Sequence, residues 1–151
     1  MVAFGDGGEP VPHLAAAAND GVRELGYQPL SLLRSGTSSV EVLRQLASGR
    51  VDFLASARLS NVCRAVFAGT VVRTASTDDS PSLPGVIATR LHLRFYLLDT
   101  ASGSILSSFE SEARGGGFSK ESSEMQAWER AKAILRKEMR KMQWTESPVM
   151  P

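Results

Sequence analysis

The stretch from Val86 to Met142 limits the fold more than any other, because its residue periodicity changes once, from a repeat of two to a helical repeat. Ile87, Leu91, Leu93, Phe95 and Leu97 alternate with Ala88, Arg90, His92, Arg94 and Tyr96, which predicts a strand with one face on a core. Asp99-Thr100-Ala101-Ser102-Gly103 then predicts a turn, since Asp bonds its own backbone and Gly accepts a positive φ. The return arm sets Ile105, Phe109 and Ala113 against Glu110, Glu112 and Arg114. Met125, Trp128, Ala131, Leu135, Met139 and Met142 then fall on one helical stripe. Ser119 suits the N-cap of this helix, with Glu121 and Glu124 in its first turns. Arg136, Lys137, Arg140 and Lys141 complement the dipole at the other end.

The remainder of the chain reads as alternating elements. Met1 to Phe4 is a short edge or truncated strand, and Pro12 to Leu25 a helix with Leu14, Ala18, Val22 and Leu25 on one face and Gly26 as its stop. Tyr27 to Leu33 reads as a second strand. Ser38 and Glu41 form a capping box ahead of a helix carrying Val40, Leu43, Leu46 and Ala47, ended by Gly49. Val51, Phe53, Ala55, Ala57 and Leu59 alternate as a third strand, and Asn61 to Ser76 as a long fourth, bulged at Gly69. Thr77 to Gly85 is an exposed loop whose Asp78-Asp79 pair is too small a ligand set for calcium.

The expected fold is therefore α/β, a two-layer sandwich in the order β-α-β-α-β-β-β-β-α. Its mixed sheet has about five strands, and its three helices lie mainly on one face. With 151 residues and 42% hydrophobic content, a single domain over 1–145 is expected, followed by a tail over 146–151. Seventeen Lys and Arg against sixteen Asp and Glu remove the electrostatic case for nucleic acid as the main partner. The single cysteine, Cys63, excludes an internal disulfide framework and reads as a small buried apolar group.

Motifs for chemistry are sparse. His13 and His92 stand far apart, and no carboxylate pair has a recognisable catalytic spacing, so no catalytic residue, metal site or cofactor is expected. Gly5 to Gly8 match neither the dinucleotide fingerprint nor the Lys-containing phosphate loop. Gly115 to Gly117, leading into the last helix, read as a hinge anchored by Phe118, with a phosphate-binding loop as the alternative. The candidate partner-binding residues are Arg90, His92, Arg94 and Tyr96. The first three form the densest positive row on any predicted strand, set against Glu110 and Glu112.

Two strand segments carry a family resemblance that the terminal helix with Ala127, Ala131 and Leu135 completes, over most of the chain from Leu14 to Met139. Val51-Asp52-Phe53-Leu54-Ala55-Ser56-Ala57-Arg58-Leu59, together with Arg90 to Ser108 around Leu97-Leu98-Asp99-Thr100, is similar to the α/β domain of the TolB amino terminus. The same domain serves the curli-secretion lipoprotein, flagellar assembly protein T and lipoprotein activators of penicillin-binding proteins. The resemblance implies a non-enzymatic accessory domain of the bacterial periplasm or envelope, docking on other proteins or on copies of itself. Any tie to the membrane would be indirect or through a lipid anchor, for which Cys63 lies too deep and no leader is visible. The competing expectation is a small enzyme or nucleotide- or phosphate-binding domain that uses the glycine loops with Arg90, His92 or Arg94.

Overall fold

The computed structural model describes residues 2–5, 11–30, 40–54, 59–78, 85–142 and 144. Its body is an antiparallel meander of three long strands, β2 (Ala65–Asp78), β3 (Val86–Asp99) and β4 (Ile105–Gly117). A four-residue strand, β1 (Val2–Gly5), runs parallel to β2 and completes the order β1-β2-β3-β4. The helices are α1 (Ala15–Glu24), preceded by a 3-10 turn over Pro12–Leu14, then α2 (Val40–Ala47) and α3 (Lys120–Lys141).

The fold is thus α+β and small, not the five-stranded mixed α/β sandwich expected. Tyr27 to Leu30 form no strand, and the rest of that predicted strand lies outside the described residues. Val51 and Asp52 turn, Phe53 and Leu54 are helical, and Leu59–Asn61 is a 3-10 turn. An alternating run becomes a strand only if a sheet edge is available to receive its backbone groups. Here Leu54 and Leu59 are buried against the sheet face beside Val66, Ala68 and Leu98 without joining the sheet, so their apolar side chains serve the core from turns and helix.

The helices also divide between two faces. On the inner face α1 and α3 cover Phe67, Val71, Leu91, Leu93, Phe95 and Leu97. On the other face α2, with Leu54 and Leu59, covers Val66, Ala68 and Leu98 at one end, with Tyr96 packed beside them. Adjacent residues Leu97 and Leu98 are both buried because both faces are covered there, and the β3–β4 register shifts between them. The predicted bulge at Gly69 is absent: β2 and β3 stay in register from Ala65↔Asp99 to Asp78↔Val86. Gly69 is needed for space, since a Cβ there would lie 2.4 Å from the Arg94 carbonyl oxygen and 2.4 Å from the Phe95 ring.

Both predicted glycine stops hold. Gly26 and Gly49 each have φ +86, and each ends its helix with paired backbone bonds from the glycine and the residue after it. Ser38 of the expected capping box lies outside the described residues, and Glu41 instead bonds Arg44 and Gln45. The Asp99 turn forms as expected: its carboxylate accepts from Ser102 N at 3.0 Å, and Gly103 has φ +69.

On α3 the buried stripe is Ser123, Ala127, Ala131, Leu135 and Met139, while Met125 is 65% exposed. Small side chains let the helix lie directly on the glycine end of β4, a contact that a count of large apolar residues overlooks. Asp20 and Glu24 of α1 pair with Arg136 at 3.2 Å and Arg140 at 2.9 Å, fastening the two helices side by side.

Candidate functional site

Among the described residues α2 covers one end of the outer sheet face and no other element covers the rest. Strand alternation puts Arg90, His92, Arg94 and Tyr96 there, since Leu91, Leu93, Phe95 and Leu97 are fully buried on the other side. The rows across it are Thr74–Arg90–Arg114, Val72–His92–Glu112 and Thr70–Arg94–Glu110. The sequence-predicted residues therefore do share one surface, and the two glutamates face them as expected.

Glu110 is the hub of this face. Its two carboxylate oxygens take His92 Nε2 at 2.7 Å and Arg94 Nη2 at 3.3 Å. The Arg94 guanidinium, and after it the His92 ring, hold the Glu110 carboxyl below the usual carboxylate range. Glu112 is lowered likewise, first by the hydrogen bond from Arg114 Nε. Arg90 has no carboxylate within ion-pair distance among the described residues.

A carboxyl whose folded-state pKa is depressed adds stability above its unfolded value, near 4.3 for Glu, and loses it as pH falls through the folded value. Exposure and salt screening keep the Glu110 effect small. Glu110→Gln should lower the urea midpoint at pH 7, and the gap from the parent protein should close on acidification into the range below the Glu110 pKa. A gap unchanged at low pH would show that lost packing, and not lost charge, is responsible.

Tyr96 differs from its three neighbours. It is half-buried against the α2 layer, and a Cβ at Gly49 would lie 2.9 Å from its ring. It belongs to the wall at the covered end, so the open partner-binding set reduces to Arg90, His92 and Arg94. His13 is exposed and stacks on Trp128 with ring centroids 4.8 Å apart. Cys63 is half-buried, and burial pushes its thiol pKa up, opposite to what a nucleophile needs.

Of the two glycine segments that the phosphate-binding alternative would use, the described one, Gly115 to Gly117, does not form a loop. Gly5 ends β1, and residues 6–10 lie outside the described residues. Gly115, Gly116 and Gly117 are part of β4, which corrects the expected hinge. The Gly116 N–H already donates to Gln126 Oε1 at 2.7 Å, and the Arg114 carbonyl accepts from Arg130 Nη1 at 2.6 Å. Sequence reasoning missed both contacts. Their trace in the sequence is the four-residue spacing of Gln126 and Arg130, which puts two long polar side chains on the same side of α3.

Beside this strand end lies an open groove of about 750 Å³ between Phe118, 81% exposed, and Met125. Among the described residues no three His, Cys, Asp or Glu side chains gather as a metal site. Nor is any described helix long and apolar enough to cross a membrane.

No family model matches the sequence, and neither does any curated protein. Among solved structures the chain is similar in part to a Caulobacter crescentus protein provisionally described as a lipoprotein, with a TM-score of 0.30 and 10% identity. The match covers 68% of this chain and 75% of that one. An overlap of that quality does not establish a shared fold. The TolB resemblance is not supported: a hairpin forms over Arg90 to Ser108, but 51–54 and 59 are not strand, and no family model matches.

Proposed function

We propose that this chain is a non-enzymatic docking domain that works through the open outer face of its sheet, in the manner of an accessory or assembly module of the bacterial envelope. The observation that carries the reading is the charged row presented by that face. Glu110 bonds His92 and Arg94 on adjacent strands, so a partner meets polar side chains held on a rigid sheet and already linked to one another. The envelope setting is supported more narrowly, by the Asp99-Thr100-Ala101-Ser102-Gly103 hairpin.

A photo-crosslinking amino acid placed at His92 in the source cell should give a discrete adduct. The same group at Lys137, exposed on α3, should not. Equal labelling from both positions, or none from His92, would overturn the docking reading. Fractionation should place the chain with envelope proteins; recovery with cytosolic proteins alone would remove the envelope part. A rise in melting temperature with nucleotide would favour the phosphate-binding alternative instead.

A further inference from the structure

We propose that the Arg90 and Arg114 end of the open face is a carboxylate-binding subsite, and that the segment docking there is an acidic peptide; this rests on the docking reading above. Arg90 on β3 and Arg114 on β4 are direct cross-strand partners. The α3 side chains reveal which kind of pair they form. Arg130 bonds the Arg114 carbonyl and Gln126 the Gly116 N–H, so these backbone groups point away from β3. Arg90↔Arg114 is accordingly a non-hydrogen-bonded pair, the kind whose Cα atoms approach to about 4.5 Å and whose side chains lie closest. Like charges placed directly opposite each other are unfavourable.

Existing carboxylates do not resolve this. The three rows from Thr74–Arg90–Arg114 to Thr70–Arg94–Glu110 carry three arginines, Arg90, Arg94 and Arg114, and two glutamates. Glu110 is taken by Arg94 and His92, and Glu112 by Arg114. Glu112 reaches Arg90 only through space. Within these rows Arg90 is the arginine left without a carboxylate in ion-pair contact. Thr74, in register on the other side of Arg90 and exposed, adds a hydroxyl to the same row.

The chemistry selects an acidic side chain on a larger partner. A guanidinium fork matches a carboxylate in two parallel hydrogen bonds. On an open surface a small free anion would stay almost fully hydrated and gain little, so it must be held by further contact. Val72, 39% exposed, and Thr70 continue the same face toward α2 and provide that contact for an extended segment.

The test measures fluorescence anisotropy of a labelled oligoglutamate peptide. The parent protein should bind it, and more weakly as salt rises from about 25 to about 200 mM, over which the Debye length shortens markedly. Arg90→Gln should weaken binding about tenfold, as expected when an Arg–carboxylate contact is lost. Arg23→Gln, on exposed α1, should leave it unchanged. Arg90→Gln should also melt at the same or a higher temperature, because it relieves a like-charge pair; a purely structural arginine would not do this.

No binding by the parent protein, equal weakening by Arg23→Gln, or a lower melting temperature for Arg90→Gln would each overturn the subsite. Displacement of the peptide by millimolar inorganic phosphate would likewise overturn the acidic peptide in favour of a free-anion site. If peptide binding fails while the His92 adduct persists, only the carboxylate subsite falls. Loss of the adduct would count against the docking reading itself.

Discussion

Gly115→Ala should destabilise the domain by about 3 kcal/mol, the upper end of ordinary overpacking costs. A Cβ at this position would lie 2.2 Å from the Ser123 carbonyl oxygen and 2.5 Å from the Ala127 backbone nitrogen. Both are backbone atoms in the middle of the interface that holds α3 on the sheet, and neither can rotate away. To admit one methyl group the whole helix must lift from β4. That displacement would also disturb the buried hydrogen bond between Thr89 and Ser123, 2.6 Å across the same contact. Gly116→Ala provides the internal control, because its added Cβ meets nothing nearer than Val86 Cγ1 at 3.9 Å.

Thermal melts of the two variants should differ by roughly 10 °C for a chain of this size. If Gly115 acted as a flexible hinge and not as a point of close approach, both alanine variants would shift by similar small amounts.

Phe95→Ala should cost about 3 to 5 kcal/mol, a large share of the 5 to 15 kcal/mol typical of a domain. Phe95 is fully buried on β3, with β2 on one side and β4 on the other. Its ring stacks on Phe67 at 5.0 Å and on Phe109 at 5.5 Å, so the three long strands meet through it. Truncation would leave a cavity walled by two other aromatic rings, which cannot both move inward without shifting their own strands. The Phe95→Leu variant, which retains much of the volume, should lose far less. Urea unfolding checks the order: parent, Phe95→Leu, Phe95→Ala. A Phe95→Ala midpoint close to that of the leucine variant would mean that the site collapses freely and the aromatic row is not the centre of the core.

The open face connects to these predictions through strand alternation. Burying Leu91, Leu93, Phe95 and Leu97 forces Arg90, His92 and Arg94 outward, so the core and the candidate surface are set by the same residues. A substitution that shifted β3 by one residue would bury arginines and expose leucines. The surface chemistry is therefore as secure as the packing beneath it.

The amino-acid sequence by itself determined the hairpin, its turn, the helical identity of α3 and the charged row facing Glu110 and Glu112. Each depends on neighbours near in the chain or on one unambiguous period: alternation fixes a face, Asp99 and Gly103 close a turn, and Ser119 caps a helix through Ser122 N. Tertiary structure alone decided which alternating runs became strands, because Leu54 and Leu59 find burial by packing onto the sheet face with α2 and need no strand pairing to leave water. It also decided that α2 would cover one end of the outer face, drawing Tyr96 into the wall and leaving Arg90 without a carboxylate partner among the described residues. The three glycines make the same point. In the sequence they resemble a hinge, but the approach of Ser122, Ser123 and Ala127 leaves no room for a side chain at Gly115 or Gly117, while Gly116 faces the other way, a constraint set by a helix that lies across the strand.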